Sequence, residues 1–376
     1  MLIFAAILAI FVYGMIAAML GTILPDLSNR FQLTPKQNGT IAMSQAIGLI
    51  VASVSVGPLV DNLGKKPGLV LGLALIAFAL YLLPRAGGYG SIVGFMLVLG
   101  IGGGIIVTGA NALVSDISEA RRASTLNLLN LFFGLGGLAT PFISANLLGR
   151  NSTKLCYLVA VLTTVTLLVH SVAPIPPPTG ERGFQFSQAG DLLGQPVLWL
   201  LALLLFLYVA AEVGVWNWLP RHLIAQGIPE GKALNILSLG FALGLLLGRV
   251  GVSPILIKVP ASTVTLVAAI LMVITAYLTL QTKDPKVSWI AVFCAGIAMA
   301  PVFPTTLAMA GDAFKVGTAT AMGIVITCGW IGLAVSSTII GGIAGGDPKA
   351  LKKALLVLPA GSVLMVVVNL ALRRYL

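Results

Sequence analysis

The stretch Gly57-Pro58-Leu59-Val60-Asp61-Asn62-Leu63-Gly64-Lys65-Lys66 decides the fold. It lies between two apolar runs, near 38–60 and 67–84, each long enough to cross a bilayer. A short charged turn with a glycine on either side, pinned between two membrane helices, is an uncommon object. Gly57 lets its helix approach a neighbour closely, and Asp61 offers an anion at the membrane surface. Gly64 turns the chain sharply, while Lys65 and Lys66 offer cations to partner acids.

The composition on either side agrees. Hydrophobic residues make up 58% of the 376 positions and charged residues only 9%, against about 25% charged in a soluble domain. Too little charge remains to cover a water-facing surface, so the chain is an integral membrane protein. Twelve apolar segments are long enough to span: near 2–24, 38–60, 67–84, 91–114, 123–148, 155–172, 196–219, 233–253, 261–281, 287–310, 317–342 and 354–372. Continuous apolar runs such as 198–209 lack the alternation of a membrane β-barrel. The first segment begins at Met1 with no basic region and no small-residue cleavage site, and reads as a retained helix.

The net charge of +11 is spread over many short loops, unlike the clustered footprint of a nucleic-acid binder. It also divides nearly evenly between the two membrane sides, so the positive-inside rule does not set the orientation. Cys156, Cys294 and Cys328 lie far apart in apolar segments, and His170 and His222 are the only histidines. No disulfide framework, metal centre or cofactor is expected.

The longest polar break, 173–195, opens with Ala173-Pro174-Ile175-Pro176-Pro177-Pro178 and continues through Gly180, Glu181, Arg182 and Gly183. Its prolines stiffen the exit from the sixth segment, and the remainder reads as a surface linker. It divides the chain into one six-helix bundle over 1–172 and another over 196–376. The halves echo each other. Asp116, Arg121-Arg122 and the run Gly134-Leu135-Gly136-Gly137-Leu138-Ala139 find counterparts in Asp312, Lys315 and Gly329-Trp330-Ile331-Gly332-Leu333-Ala334. Gly244 and Gly248-Arg249 stand roughly where the Gly57 loop stands in the first half. Such symmetry points to a transporter of two bundles with a central site near the midplane. Gly100, Gly102, Gly103 and Gly104, and in the second half Gly240, Gly244 and Gly248, form small surfaces for close helix contact within a monomer.

Glu212 carries most of the chemistry. Alone among the eleven acids it lies deep inside an apolar segment. An ionisable group there costs at least about 2.5 kcal/mol, so it faces a water-filled cavity or a partner and acts there. Tyr208, Glu212 and Trp216 follow at i+4 spacing and share one helix face. A carboxylate flanked by two aromatic rings suits a hydroxyl-rich ligand, because rings cover the apolar face of a sugar while the acid accepts its hydroxyls. Tyr13, Gln45, Asn111, Asn127, Asn130 and Asn217 are further polar groups inside apolar segments, as are Asn235 and Thr327. Each needs another helix or a ligand as its partner. Asn127 and Asn130, three apart, share a face just before the Gly134 run.

The Gly57–Lys66 stretch resembles the loop between helices 2 and 3 of the major facilitator superfamily, where a Gly-x-x-x-Asp-x-x-Gly-basic-basic pattern recurs. A narrower resemblance accompanies it. Tyr208-Val209-Ala210-Ala211-Glu212-Val213-Gly214, followed by Trp218-Leu219-Pro220, is similar to helix seven of the fucose–galactose–glucose symporter family. Asn127-Leu128-x-Asn130-x-Phe132 followed by Gly136 resembles that family's fifth helix, and Phe303-Pro304-Thr305 an element of its tenth. Phe132-Phe133-Gly134-Leu135-Gly136 looks more like the sodium-coupled glucose branch.

These resemblances imply an all-α membrane fold of twelve transmembrane helices in two pseudo-symmetric six-helix bundles. Both termini would be cytoplasmic, in a bacterial-type inner membrane. Gly57, Asp61, Gly64, Lys65 and Lys66 would join Asp116, Glu119, Arg121 and Arg122 in a charge cluster on one membrane side, steadying the outward-open state. Proton-coupled relatives carry a Glu before a Thr-x-Ala-Asn stretch in helix four and an Asp four residues before the proline of helix one. Here Val107, before Thr108-Gly109-Ala110-Asn111, and Gly21, before Pro25, hold those positions. With both carboxylates missing, Glu212 is the coupling candidate for sodium or a proton.

The expected function is secondary transport of a small polar solute, a monosaccharide or polyol, by alternating access. The alternative is export or uniport of an unrelated amphipathic small molecule. No nucleophile triad or added soluble domain points to an enzyme or a sensor. Solute and lipid are the expected partners, with no nucleic acid.

Overall fold

In the computed structural model, residues 2–175, 188–344 and 348–375 are described. Among them no strand occurs, and twelve helices are long and apolar enough to cross a membrane. They are α1 (Leu2–Phe31), α2 (Lys36–Leu63), α3 (Lys65–Arg85), α4 (Tyr89–Ile117), α5 (Glu119–Asn146) and α6 (Ser152–Val172) in the first half. The second half supplies α7 (Pro196–Ala225), α8 (Glu230–Ile255), α9 (Ala261–Gln281), α10 (Pro285–Ala313), α11 (Thr318–Ala344) and α12 (Ala350–Leu372). Lipid offers no hydrogen-bond partner, so apolar segments of this length satisfy their backbone internally, as helices.

Polar residues mark several helix starts. The Thr34 hydroxyl accepts from Gln37 N, and the Gln37 side chain accepts in return from Thr34 N, 2.8 Å away. The Asn151 side chain accepts from Lys154 N at the start of α6, and Asp284 from Lys286 N and Val287 N at the start of α10. The turn between α2 and α3 is Gly64 alone, with a φ of 92°, in the left-handed region that glycine enters without strain. Two helices are irregular. A π-helical turn, Ile236–Ala242, interrupts α8, and α10 is broken between Met299 and Val302.

The helices gather into two compact units. The first holds Met1–Ser118, Leu129–Gly190 and Phe314–Thr327, and the second holds Glu119–Leu128, Asp191–Ala313 and Cys328–Leu376. This differs in one respect from a division at the 173–195 linker: α5 and α11 each leave their first turns in the unit of the other half. The linker residues 176–187 lie outside the described residues, and Gln188–Leu193 form a short helix instead of irregular chain.

Within each unit, glycines set the closest approaches, and in matching places. In the first unit a Cβ on Gly100 would stand 2.0 Å from Gln45 O, and one on Gly48 would stand 2.3 Å from Leu97 O, so α2 and α4 touch backbone to backbone. In the second, Gly244 meets Phe293 O and Gly296 meets Phe241 O, bringing α8 and α10 together in the same way. Gly14 and Gly136 seat α1 on α5, where Gly136 faces Phe11 O. Gly332, facing Phe206 O, seats α7 on α11. Since lipid tails are as apolar as the side chains, helix association rests on such close van der Waals contact and on interhelical hydrogen bonds.

Candidate functional site

In the second unit α7 presents Tyr208, Glu212 and Trp216 in line. Tyr208 is fully buried, Glu212 half-buried, and Trp216 36% exposed, so the face opens progressively along the helix. Trp216 is held edge-on against Phe241 at 5.3 Å between centroids and 78° between planes. Phe241 lies in the π-helical turn of α8, whose extra residue per turn brings its ring over α7. The Tyr208 hydroxyl and the Trp216 indole reach towards the Glu212 carboxylate. The approach of Tyr208 is not closed: its hydroxyl is buried without a formed hydrogen bond. A buried donor left open beside a half-buried acid is what a polar ligand would complete.

Glu212 has a counter-charge that the sequence reading did not assign to the site. Arg249, 6% exposed on α8, lies within electrostatic reach of Glu212 and Tyr208. Its Nε donates to Ala300 O in the break of α10, at 3.5 Å. Its carbonyl accepts from Asn127 Nδ2 at 2.5 Å and from Ser253 Oγ at 2.8 Å, and Asn127 Nδ2 also lies 2.8 Å from Ser253 Oγ. A signal for Arg249 existed. Glu212 and Arg249 both lie inside apolar segments, and charges of opposite sign there tend to be found together. Arg249 drew notice only as part of the internal echo.

Asn127 and Asn130, read as one polar face, part company. Asn127 serves α8 in the second unit, whereas Asn130 Nδ2 donates to Asn111 Oδ1 at 2.9 Å in the first. Asn111 Nδ2 in turn donates to Val107 O at 2.7 Å, and Asn111 is fully buried. Its neighbour Thr108 has a buried hydroxyl without a formed hydrogen bond. Tyr13, 4% exposed, packs its ring against Phe133 at 5.3 Å and beside Gly103. Gln45 is half-buried, its backbone carbonyl against Gly100. Asn217 is exposed next to Trp216 and is not without partners. The structure therefore brings Tyr208, Glu212, Trp216, Arg249 and Asn127 together in the second unit, and Asn111 and Asn130 in the first.

The expected charge cluster takes a different form. Lys65 meets Asp116 at 2.6 Å, as a cation seeking an acid should. Asp61, however, has the start of α11 as its main partner in place of Arg121 or Arg122. It accepts from Ala319 N at 3.1 Å, Thr320 N at 2.8 Å and Thr320 Oγ1 at 2.7 Å. The free amides and positive dipole end of a helix favour such an anion. Gly57 makes room for the contact, since a Cβ there would stand 2.5 Å from Thr320 Cα. Lys66 donates to Ala173 O at 3.1 Å. Arg122, at the start of α5, pairs with Asp312 of α10 in the second unit. Arg121 is exposed, and so is Glu119, which has partners of its own. The cluster is thus two clamps, one acid holding the start of α11 and another the start of α5.

Known proteins share this architecture. The profile of the Major Facilitator Superfamily matches residues 6–337. A protein named glucose/galactose transporter from Brucella abortus is 26% identical over 358 residues, covering 90% of this chain and 86% of its own. A TsgA homologue from Erwinia tasmaniensis is 23% identical over 88% of this chain and 84% of its own. Among solved structures, the transporter FucP in the outward conformation superposes with a TM-score of 0.85 over 98% of both chains, at 18% identity. The proton:xylose symporter XylE does so with 0.77 over 97% of this chain and 94% of its own, at 14% identity.

Proposed function

We propose that this chain, which belongs to the Major Facilitator Superfamily, is a secondary transporter of a monosaccharide or related polyol that works by alternating access. The observation that carries the reading is the half-buried Glu212 between Tyr208 and Trp216 in a membrane-spanning helix, with a buried donor left open beside it. A hydroxyl donating to the carboxylate and accepting from Tyr208 would complete those groups, while the Trp216 ring covers the apolar face of the sugar. The relative named for glucose and galactose supports the same solute class.

In this reading Glu212, Tyr208 and Trp216 bind solute and Asn217 stands at the rim. Asn111 and Asn130 form a second polar element, with Tyr13 and Gln45 near it. Asp61 and Asp312 hold the starts of α11 and α5 in one of the two access states and release them in the other. Glu212 is also the residue that sodium or a proton would use if a cation travels with the solute. Both termini are placed on the cytoplasmic side of a bacterial-type inner membrane, with the protein a monomer in lipid.

The test is equilibrium binding to purified protein of a panel of hexoses, pentoses and polyols, with and without sodium and at several pH values. A saturable hexose or polyol signal is expected. Binding confined to amphipathic compounds would replace this reading with that of an exporter.

A further inference from the structure

We infer that Phe241 is a positioning residue of the solute site: it fixes the Trp216 ring, and the fixed ring selects ring-form sugars over open-chain polyols. This deepens the sugar reading and rests on it. The two rings meet at 5.3 Å between centroids and 78° between planes, an edge-to-face arrangement that aromatic quadrupoles favour. Their exposures differ. Phe241 is fully buried, while Trp216 is 36% exposed on the helix face that it shares with Glu212 and Tyr208. One ring is packing, and the other is contact surface.

Both backbones are held from behind. A Cβ on Gly296 of α10 would stand 2.4 Å from Phe241 O and 3.0 Å from Leu245 N, so α10 backs directly onto α8 at Phe241. Gly244 and Gly248 carry that contact along α8, against Phe293 O and Ala300 Cβ. On α7, a Cβ on Gly214 would stand 2.5 Å from Leu358 Cδ2 of α12 and 3.3 Å from Ile340 Cδ1 of α11. Phe241 also stands in the π-helical turn Ile236–Ala242, a rare helix form that recurs at functional sites.

With both helices held, the indole plane keeps one angle. A pyranose ring offers that plane a rigid face of C–H groups while its hydroxyls bond to Glu212 and Tyr208. An open-chain polyol has the same hydroxyls but no rigid apolar face, and it must freeze several C–C torsions to bind. Without the Phe241 ring, the solute itself must order the indole. That cost falls only on solutes that use the indole.

The experiment is equilibrium competition on purified protein of D-glucose, D-galactose and D-mannose, each against its own alditol: D-glucitol, D-galactitol and D-mannitol. On wild-type protein the best-bound hexose should beat its alditol by at least about tenfold. Phe241→Leu keeps most of the apolar volume and removes the ring. It should weaken that hexose by about five- to tenfold and leave the alditol within about twofold of wild type. Trp216→Ala should abolish the preference. Adding Phe241→Leu to Trp216→Ala should then change hexose affinity by no more than about twofold, because Phe241 acts through Trp216.

An alditol bound as tightly as its hexose by wild-type protein overturns the inference without any variant and leaves the sugar-or-polyol reading standing. Equal weakening of hexose and alditol by Phe241→Leu also overturns it, since a purely structural ring would act on both. So does an unchanged hexose affinity, or a double variant whose losses simply add. Phe241→Met replaces Phe241→Leu if the latter does not fold; if neither folds, the ring is structural and the inference falls. Wild-type protein that binds no hexose and no alditol removes the sugar reading and this inference with it.

Discussion

The two polar clusters inside the membrane-spanning helices differ in how far they satisfy themselves. The Asn111–Asn130 pair of the first unit is bonded within that unit: Asn130 donates to Asn111, Asn111 donates to Val107 O, and both side chains are buried. The Glu212 cluster of the second unit is open: its acid is half-buried, its Tyr208 hydroxyl has no formed bond, and its Trp216 is partly exposed. A neutral, hydrogen-bonded amide pair costs little and fixes helix packing. A half-buried acid beside an open donor leaves room for a polar ligand from outside the helices. Burial alone therefore does not mark a working site; an open donor beside an acid is the stronger sign.

The sharpest way to break this contrast is to neutralise the acid. Glu212→Gln is nearly isosteric, so hexose transport should fall about 100-fold, measured by uptake with the folded fraction of the purified protein. If a cation is coupled through Glu212, the variant keeps some exchange and loses uphill accumulation. Undiminished accumulation would mean that Glu212 is not the coupling residue.

Next comes the clamp on α11. Asp61→Asn removes the charge that faces three donors at Ala319 and Thr320. Transport should slow by about tenfold, while stability falls by only about 1 kcal/mol, the size of one helix-dipole contact. Equal loss of both would make the contact structural only.

The bonded pair should respond in the opposite sense. Asn111→Ala leaves the Asn130 amide without its acceptor, at a cost of about 1–3 kcal/mol in stability. Hexose affinity of the folded fraction should stay within about twofold of wild type. A large affinity loss with intact stability would move the solute to that pair. The smallest effect is expected at Thr108, whose buried hydroxyl has no formed bond. Thr108→Val should leave stability within about 0.5 kcal/mol of wild type or raise it slightly.

Much of the fold was legible because lipid leaves a chain few choices. Long apolar runs must be helices, and all twelve expected segments are helical. Glycines expected at contacts, such as Gly100 and Gly244, meet neighbouring backbone. Asp61 was singled out for its place in the loop, but its partners are backbone amides, which carry no side-chain signature in a sequence. The common face of Asn127 and Asn130 was read from helical spacing. Their partners are set by which unit each turn of α5 packs in, and spacing does not encode that. Arg249 drew notice only through the internal echo, and tertiary packing brings it within electrostatic reach of Glu212.

Counterflow in proteoliposomes tests the central claim most directly. Vesicles loaded with unlabelled D-glucose or another hexose are diluted into labelled sugar, and the label inside is followed over time. Wild-type protein should accumulate label transiently above the outside level, and Glu212→Gln should reduce that overshoot at least about tenfold. Absence of counterflow by wild-type protein for every hexose and polyol tried, or an unchanged overshoot in the Glu212 variant, would contradict a sugar site built on Glu212.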